Sequence, residues 1–256
     1  MINVTLIQSD IIWEDRISNL KKYQEKINQI ESTDLIILPE MFTTGFSMSP
    51  KSISENMNGE TIQWMKQNAH KMNSAICGSI IIEEDSKYFN RFIWVNPDGS
   101  IHHYDKRHLF SFAGENENYT PGNEKIIIEY KGWKICPLIC YDLRFPVWSR
   151  NSEDYDLLIY VANWPDKRKS AWKSLLTARA IENQCYVIGV NRVGEDSKNY
   201  YSGDSSLINA LGETLYTNSH IEEIYSNTIS KYDLNKIRTQ LPFLNDKDNF
   251  KIIDLI

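Results

Sequence analysis

Three segments of this chain end on side chains that can take part in acyl transfer. DLIILP ends at Glu40, the strand-like run around Ile101–Tyr104 leads to Lys106, and KICPLI ends at Cys140. In open α/β sheets ligands gather where strands run out at their carboxyl ends. Cys140 precedes YDLRFP, which reads as a sharp turn into a helix. A helix start would set partial positive charge and free N–H groups against the sulfur, lowering the thiol pKa and favouring the thiolate, which is the attacking form. The same N–H groups can receive the oxyanion of a tetrahedral intermediate, where one donor is worth about 3–4 kcal/mol. A carboxylate then takes the thiol proton, and a lysine stabilises developing negative charge and helps protonate a leaving amine. Each residue also has a plainer reading: Glu40 as a surface carboxylate, Lys106 in DKRH as part of a solvated charge run, and Cys140 as one more buried thiol.

The residues around these three positions narrow the choice. LPEMFTTGF at Glu40, YDKRHLF at Lys106 and ICYDLRFP at Cys140 resemble the three signature segments of the nitrilase superfamily of carbon–nitrogen hydrolases, in the same order and over almost the whole chain. The resemblance implies an α/β fold, a four-layer α-β-β-α sandwich with two mixed sheets. It implies that Cys140 is acylated with loss of ammonia, that Glu40 is the general base, and that Lys106 and the backbone N–H of Tyr141 line the oxyanion hole before water hydrolyses the thioester. The family carries a second glutamate seven residues before the glycine of a Pro-Gly pair. Here that is Glu115 in FAGENENYTPG, with Glu117 as competitor, and it would position Lys106 or the attacking water. NWP at Asn163–Pro165 resembles a segment whose aromatic ring lines the pocket, and RAIEN at Arg179–Asn183 another, read as helix packing and subunit contact.

Within the superfamily, CYDLRFPVWSRN and HLFSFAGENENY resemble the bacterial omega-amidases. That implies hydrolysis of the terminal amide of 2-oxoglutaramate or 2-oxosuccinamate to a 2-oxo dicarboxylate and ammonia. The far carboxylate of such a substrate needs a cation or N–H donors. Arg144 can supply a bidentate contact; its other reading is an ion pair with Asp142 or a distant acid that holds the turn. Phe42, Phe46, Phe110, Phe112 and Trp164 are expected to wall a small pocket. The triad does not separate this substrate from a carbamoyl amino acid, deaminated glutathione or an aliphatic amide.

Placing these residues together requires alternating strands and helices. Residues 3–8 read as a strand, and Ile17, Leu20, Ile27 and Ile30 mark one face of a following helix. Residues 34–39 form an apolar strand covered on both faces. A second helix carries Ile62, Met65, Ala69 and Met72, and strands follow at 75–83, 88–96 and 101–104. The irregular stretch 106–122 is longer than scaffold loops usually are. Strands at 125–130 and 134–140, a short helix, a strand at 156–163, a helix bearing Trp172, Leu176 and Ile181, strands at 185–192 and 201–208, and a further hairpin to about 228 complete the pattern, as one domain over residues 1–256.

Composition agrees with a globular enzyme: 41% hydrophobic and 24% charged residues among 256. The formal net charge of −6 without a basic stripe argues against nucleic acid as a partner. No apolar run reaches a membrane span, and the first residues form no signal peptide, so a cytoplasmic location is expected. The four cysteines form no C-x-x-C pair and are expected to be free thiols. His102-His103 lacks a spaced third ligand, so neither metal nor other cofactor is expected. A protease-like pair of Cys140 with His108 lacks an obvious orienting Asp or Asn. A non-catalytic binding protein is disfavoured because all three triad residues are present. A homodimer is implied by the resemblance, with Trp148 and Trp172 as exposed aromatics suited to its interface.

Overall fold

The computed structural model describes residues 1–253. Strand β1 (Ile2–Gln8), helix α1 (Arg16–Ile27) and strand β2 (Leu35–Ile37) open the chain, followed by α2 (Pro50–Ile53), α3 (Glu60–Met72), β3 (Ala75–Glu84), β4 (Lys87–Val95) and β5 (Ile101–Asp105). After the long connection come α4 (Glu115–Asn118), β6 (Ile128–Tyr130), β7 (Trp133–Ile139), α5 (Pro146–Ser149), β8 (Leu157–Ala162), α6 (Lys169–Asn183) and β9 (Tyr186–Asn191). The last elements are β10 (Val193–Glu195), β11 (Tyr200–Ile208), β12 (Thr214–Ser219), β13 (Glu223–Ile229) and α7 (Lys231–Gln240).

These strands form two mixed sheets, ordered β13-β1-β2-β3-β4-β5 and β10-β11-β9-β8-β7-β6, with β12 paired to β11. The period of two along β2 shows how the layers arise. Leu35 and Ile37 face the second sheet, in a core with Val4, Trp94, Leu138 and Leu158. Ile36 and Leu38 face outward, where Tyr23 of α1 and Ile62, Met65 and Ala69 of α3 cover them. On the far side, Trp172, Leu176 and Ala180 of α6 cover the second sheet. Gly189 makes that close approach possible: a Cβ there would lie 2.6 Å from Leu176 Cδ1 and 2.7 Å from Trp172 Cζ2. The result is the α-β-β-α sandwich that the motifs imply.

Three expectations are corrected. Trp148 is 6% exposed and Trp172 is fully buried, Trp172 donating from Nε1 to Asp204 O at 2.9 Å, so neither indole is a surface for a partner. The two strands after the Asn209–Gly212 turn do not pair as a hairpin: β12 joins β11 in one sheet, and β13 crosses to lie antiparallel to β1 in the other. Helix α7 was not foreseen, because only Leu234 is fully buried and Ile237 half-buried against the core, too short an apolar stripe to stand out.

β1, β2 and β3 run parallel in one sheet, and β7, β8 and β9 in the other. The carboxyl ends of β2, β8 and β9 converge with the end of β5, where groups at or just beyond them hydrogen-bond one another, and Cys140 at the end of β7 meets Glu40 there.

Candidate active site

Glu40, Lys106 and Glu115 form one fully buried cluster, each 0% exposed. Lys106 follows β5 directly, its N–H bonded to Asn90 O at 3.0 Å and its carbonyl to Gly122 N at 3.0 Å. Gly122 lies so close that a Cβ would sit 2.2 Å from Asp105 O, so the Pro-Gly pair is what lets the connection return beside β5. Within that connection a 3-10 turn at Ser111–Ala113 leads into α4, and this folds Glu115 back onto the lysine. Lys106 Nζ is 2.9 Å from Glu40 Oε1 and 2.9 Å from Glu115 Oε2. Glu117, the competitor, is exposed. Burial pulls the lysine pKa down, but Glu115 and then Glu40 more than offset it and hold Lys106 well above its usual range. Burial, with Glu40 adding to it and Lys106 opposing, raises Glu115.

Glu40 is held from both sheets. Asn90 Nδ2 donates to its Oε1 at 2.8 Å, and the Asn163 backbone N–H, just past β8, donates to its Oε2 at 2.8 Å. Asn90 Nδ2 also reaches Glu115 Oε1 at 3.1 Å, while Asn90 Oδ1 accepts from Ser79 Oγ at 2.9 Å. Asn90 was missed in the sequence; its one signal is an amide inside the apolar strand YFNRFIWV.

Cys140 sits at the end of β7 with φ of +43°, a conformation that non-glycine residues avoid. Met41, next to Glu40, shares that φ of +43°. Such backbone costs about 1–3 kcal/mol and persists where surrounding contacts over-determine it. For Cys140 those contacts are visible. Asp142 is fully buried and accepts from Ile139 N at 3.0 Å, Tyr104 Oη at 2.8 Å and His108 N at 3.0 Å. Arg179 of the RAIEN segment donates from Nη2 to Leu143 O at 2.7 Å. One carboxylate therefore ties the cysteine turn to the strand that carries Lys106. Asp142 also meets His108 Nδ1 at 2.8 Å, so His108 does have an acidic partner, contrary to the sequence reading; its ring stacks on Phe145 at 3.7 Å.

The segment after Cys140 is a 3-10 turn, Cys140–Arg144, and not an α-helix start. The expected lowering of the thiol pKa is likewise corrected. Burial first, then the charge of Glu40, push the Cys140 thiol well above the ordinary range, with Lys106 opposing. The formal charges explain the sign: two carboxylates face one ammonium, and a resting thiolate would add a second net negative charge to a dry site. The thiol therefore rests protonated, with Glu40 placed to accept a hydrogen bond from it.

Above this cluster opens a cavity of about 220 Å³ with Cys140 and Tyr141 in its wall. Phe46, Phe110, Phe112, Arg144, Asn163 and Trp164 also line it. Phe42 does not, and its expected place in the wall is corrected. The left-handed turn at Met41 sends it to the outer face of the sheet, against Tyr23 and Trp64. Arg144 makes no ion pair with Asp142, whose oxygens are taken by the groups above; its guanidinium lies 5.0 Å over the Trp164 ring. Sequence reasoning also missed Arg168, another lining residue, which stands in the charge run DKRK four residues after the aromatic of NWP.

Fold and site together define a class: a four-layer sandwich that gathers cysteine, glutamate and lysine from three strand ends, with the cysteine in the wall of one small cavity. The model of the carbon-nitrogen hydrolase family matches residues 3–239, and the chain belongs to that family. It is 45% identical over 253 residues to the omega-amidase YafV of Escherichia coli strain K12, covering 98% of each chain. It is 32% identical over 249 residues to the 2-oxoglutaramate amidase of Bacillus subtilis strain 168, covering 95% of this chain and 96% of that one. Among solved structures, XC1258 from Xanthomonas campestris, a CN-hydrolase superfamily protein with an arsenic adduct in its active site, superposes with a TM-score of 0.96 at 41% identity over 98% of each chain.

Proposed function

We propose that this chain, acting as one continuous domain, is a thiol amidase that hydrolyses the terminal amide of a small 2-oxo acid, 2-oxoglutaramate or 2-oxosuccinamate, to ammonia and the 2-oxo dicarboxylate. Similarity to the omega-amidases and to a 2-oxoglutaramate amidase supports the substrate class. The observation that carries the reading is the cavity itself: Cys140 in its wall and, among the described residues, four cationic side chains around it and no acidic one. Such a lining favours an amide whose far end is an anion.

The steps follow from the contacts. The substrate amide carbon meets Cys140 Sγ, and Glu40 takes the thiol proton as the C–S bond forms, so no free thiolate is required. Lys106 Nζ and the Tyr141 N–H receive the oxyanion. Tyr141 is the second residue of the 3-10 turn Cys140–Arg144, whose first N–H groups have no acceptor within the turn. Glu40 returns the proton to the departing amine, ammonia leaves, and Glu40 then activates the water that cleaves the thioester. Glu115 keeps Lys106 charged and in place throughout. Arg144 binds the far carboxylate, its fork held flat on Trp164.

The reading extends to a cytoplasmic homodimer. It is supported by the absence of any helix long and apolar enough to cross a membrane among the described residues. It is also supported by exposed apolar side chains, Val147 on α5 and Ile181 on α6, with Leu211 in the turn against α6.

The test is a coupled ammonia assay over 2-oxoglutaramate, 2-oxosuccinamate, glutamine, asparagine and a carbamoyl amino acid, with wild type and Arg144→Ala. Wild type should prefer a 2-oxo acid amide. Arg144→Ala should lose roughly 10- to 100-fold in kcat/KM on it, the worth of a hydrogen-bonded charge pair, and much less on an uncharged amide. Preference for the carbamoyl amino acid would move the protein to another branch, and equal losses on charged and uncharged amides would make Arg144 structural.

A further inference from the structure

Two guanidiniums, those of Arg144 and Arg168, line the cavity wall. Arg91, Arg179, Arg192 and Arg238 each pair with a carboxylate. Arg144 and Arg168, both half-buried, make no such pair among the described residues; each lies over an aromatic ring instead, Arg144 over Trp164 at 5.0 Å and Arg168 over Phe110 at 5.1 Å. Their supports are tied to the catalytic machinery. Trp164 Nε1 donates to Arg168 O at 2.8 Å, which fixes the 3-10 turn Asp166–Arg168 before α6. Phe110, under Arg168, donates its backbone N–H to Glu115. Lys167 and Lys198, the other cations of the wall, are exposed and flexible by type, and nothing comparable holds them flat.

Two like charges held near one another in a half-buried wall are unfavourable unless the ligand is an anion. Burial first, and then Arg144, pull Arg168 below its usual range, with the Cys140 sulfur opposing, which places all three groups in one field. The far end of a 2-oxo acid amide offers only acceptors, a carboxylate and the adjacent ketone oxygen, while guanidinium forks offer only donors. The corresponding 2-amino acid amide carries an ammonium at the ketone position. That group is donor-only and positive, and among the described residues no Asp or Glu lines the cavity to receive it.

We infer that Arg168 is the residue that selects a 2-oxo over a 2-amino acid amide, its guanidinium taking the ketone and one carboxylate oxygen while Arg144 takes the carboxylate. The inference rests on the functional reading above and names the discriminating residue within it. It assigns glutamine, the amino counterpart of 2-oxoglutaramate, to the rejected class on electrostatic grounds and not on size.

The test measures kcat/KM of wild type, Arg168→Gln and Arg168→Lys on 2-oxoglutaramate, on glutaramate (the same chain without the ketone), on glutamine and on uncharged butyramide. Arg168→Gln should lose about 10- to 100-fold on 2-oxoglutaramate, mostly in KM, with a clearly smaller loss on glutaramate. The ratio of 2-oxoglutaramate to glutamine turnover should narrow by at least about tenfold. Arg168→Lys keeps the charge but not the fork, so it should still reject glutamine while binding the ketone poorly. An unchanged ratio in Arg168→Gln, or the same loss on all four amides, overturns the assignment. Wild type that favours butyramide over 2-oxoglutaramate would instead overturn the functional reading, whatever the variants do.

Discussion

Alanine at position 140 is expected to lower ammonia release by about 10⁴- to 10⁶-fold while leaving the fold in place, the range seen when a covalent nucleophile is removed from a catalytic set acting as a unit. The loss is large because nothing else in the cavity wall can replace the sulfur. His108 is engaged with Asp142 and stacked on Phe145. Serine would be nearly as inactive, since an alkoxide is much harder to generate than a thiolate. The fold should survive because Cys140 is partly exposed and packs only against the margin of the core, whereas Cys77, Cys136 and Cys185 are buried within it. The turn around position 140 is fixed by Asp142 and Arg179, which the substitution leaves untouched. Ammonia release by Cys140→Ala at the wild-type rate, with an unchanged melting curve, would remove the nucleophile from the mechanism.

Lys106→Ala should be the most damaging change to activity and stability together. The lysine is in contact with two carboxylates that are fully buried. Without it, Glu40 and Glu115 would share only the Asn90 amide. Removing one partner of a buried charge set costs about 3–5 kcal/mol. The two carboxylates would then respond by holding a proton between them, which raises a folded-state pKa. A raised carboxylate pKa gives stability that is present at low pH and lost as pH rises through the folded value. The variant should therefore be more stable near pH 5 than at pH 7 relative to wild type, as read by urea denaturation at the two pH values. Its kcat should fall by at least about 10²- to 10³-fold through loss of an oxyanion donor, with KM changed much less. A variant that is as stable as wild type at neutral pH would contradict the charge arrangement.

The proposed reacting residues are legible for a physical reason: Glu40, Lys106 and Cys140 each stand just beyond the end of a strand. Glu115 was legible through its distance from Gly122, whose lack of a side chain lets the connection close against Asp105. What failed was whatever depends on a single dihedral or on groups far apart in the chain. Phe42 is two residues from Glu40 and reads as its neighbour in the pocket, yet the left-handed Met41 between them sends it to the opposite face. Trp148 and Trp172 read as exposed because no local pattern records that Tyr104 accepts from the Trp148 indole or that Gly189 makes room for Trp172. The thiol was expected to be acidified by its own turn, but its proton affinity is set by burial and by carboxylates from two other segments. Asn90 and Arg168 look ordinary in the chain, one in a strand and one in a charge run, and acquire meaning only from what they face.

The central claim is that the acyl group passes through the sulfur of Cys140. Rapid quenching of wild-type enzyme with 2-oxoglutaramate in acid, followed by mass analysis of the peptide containing Cys140, tests it most directly. The peptide should gain the mass of the substrate less ammonia during turnover, an adduct absent when Glu40→Gln is treated in the same way. A wild-type enzyme that releases ammonia at full rate with Cys140 never modified, or with the adduct on another residue, would contradict the account.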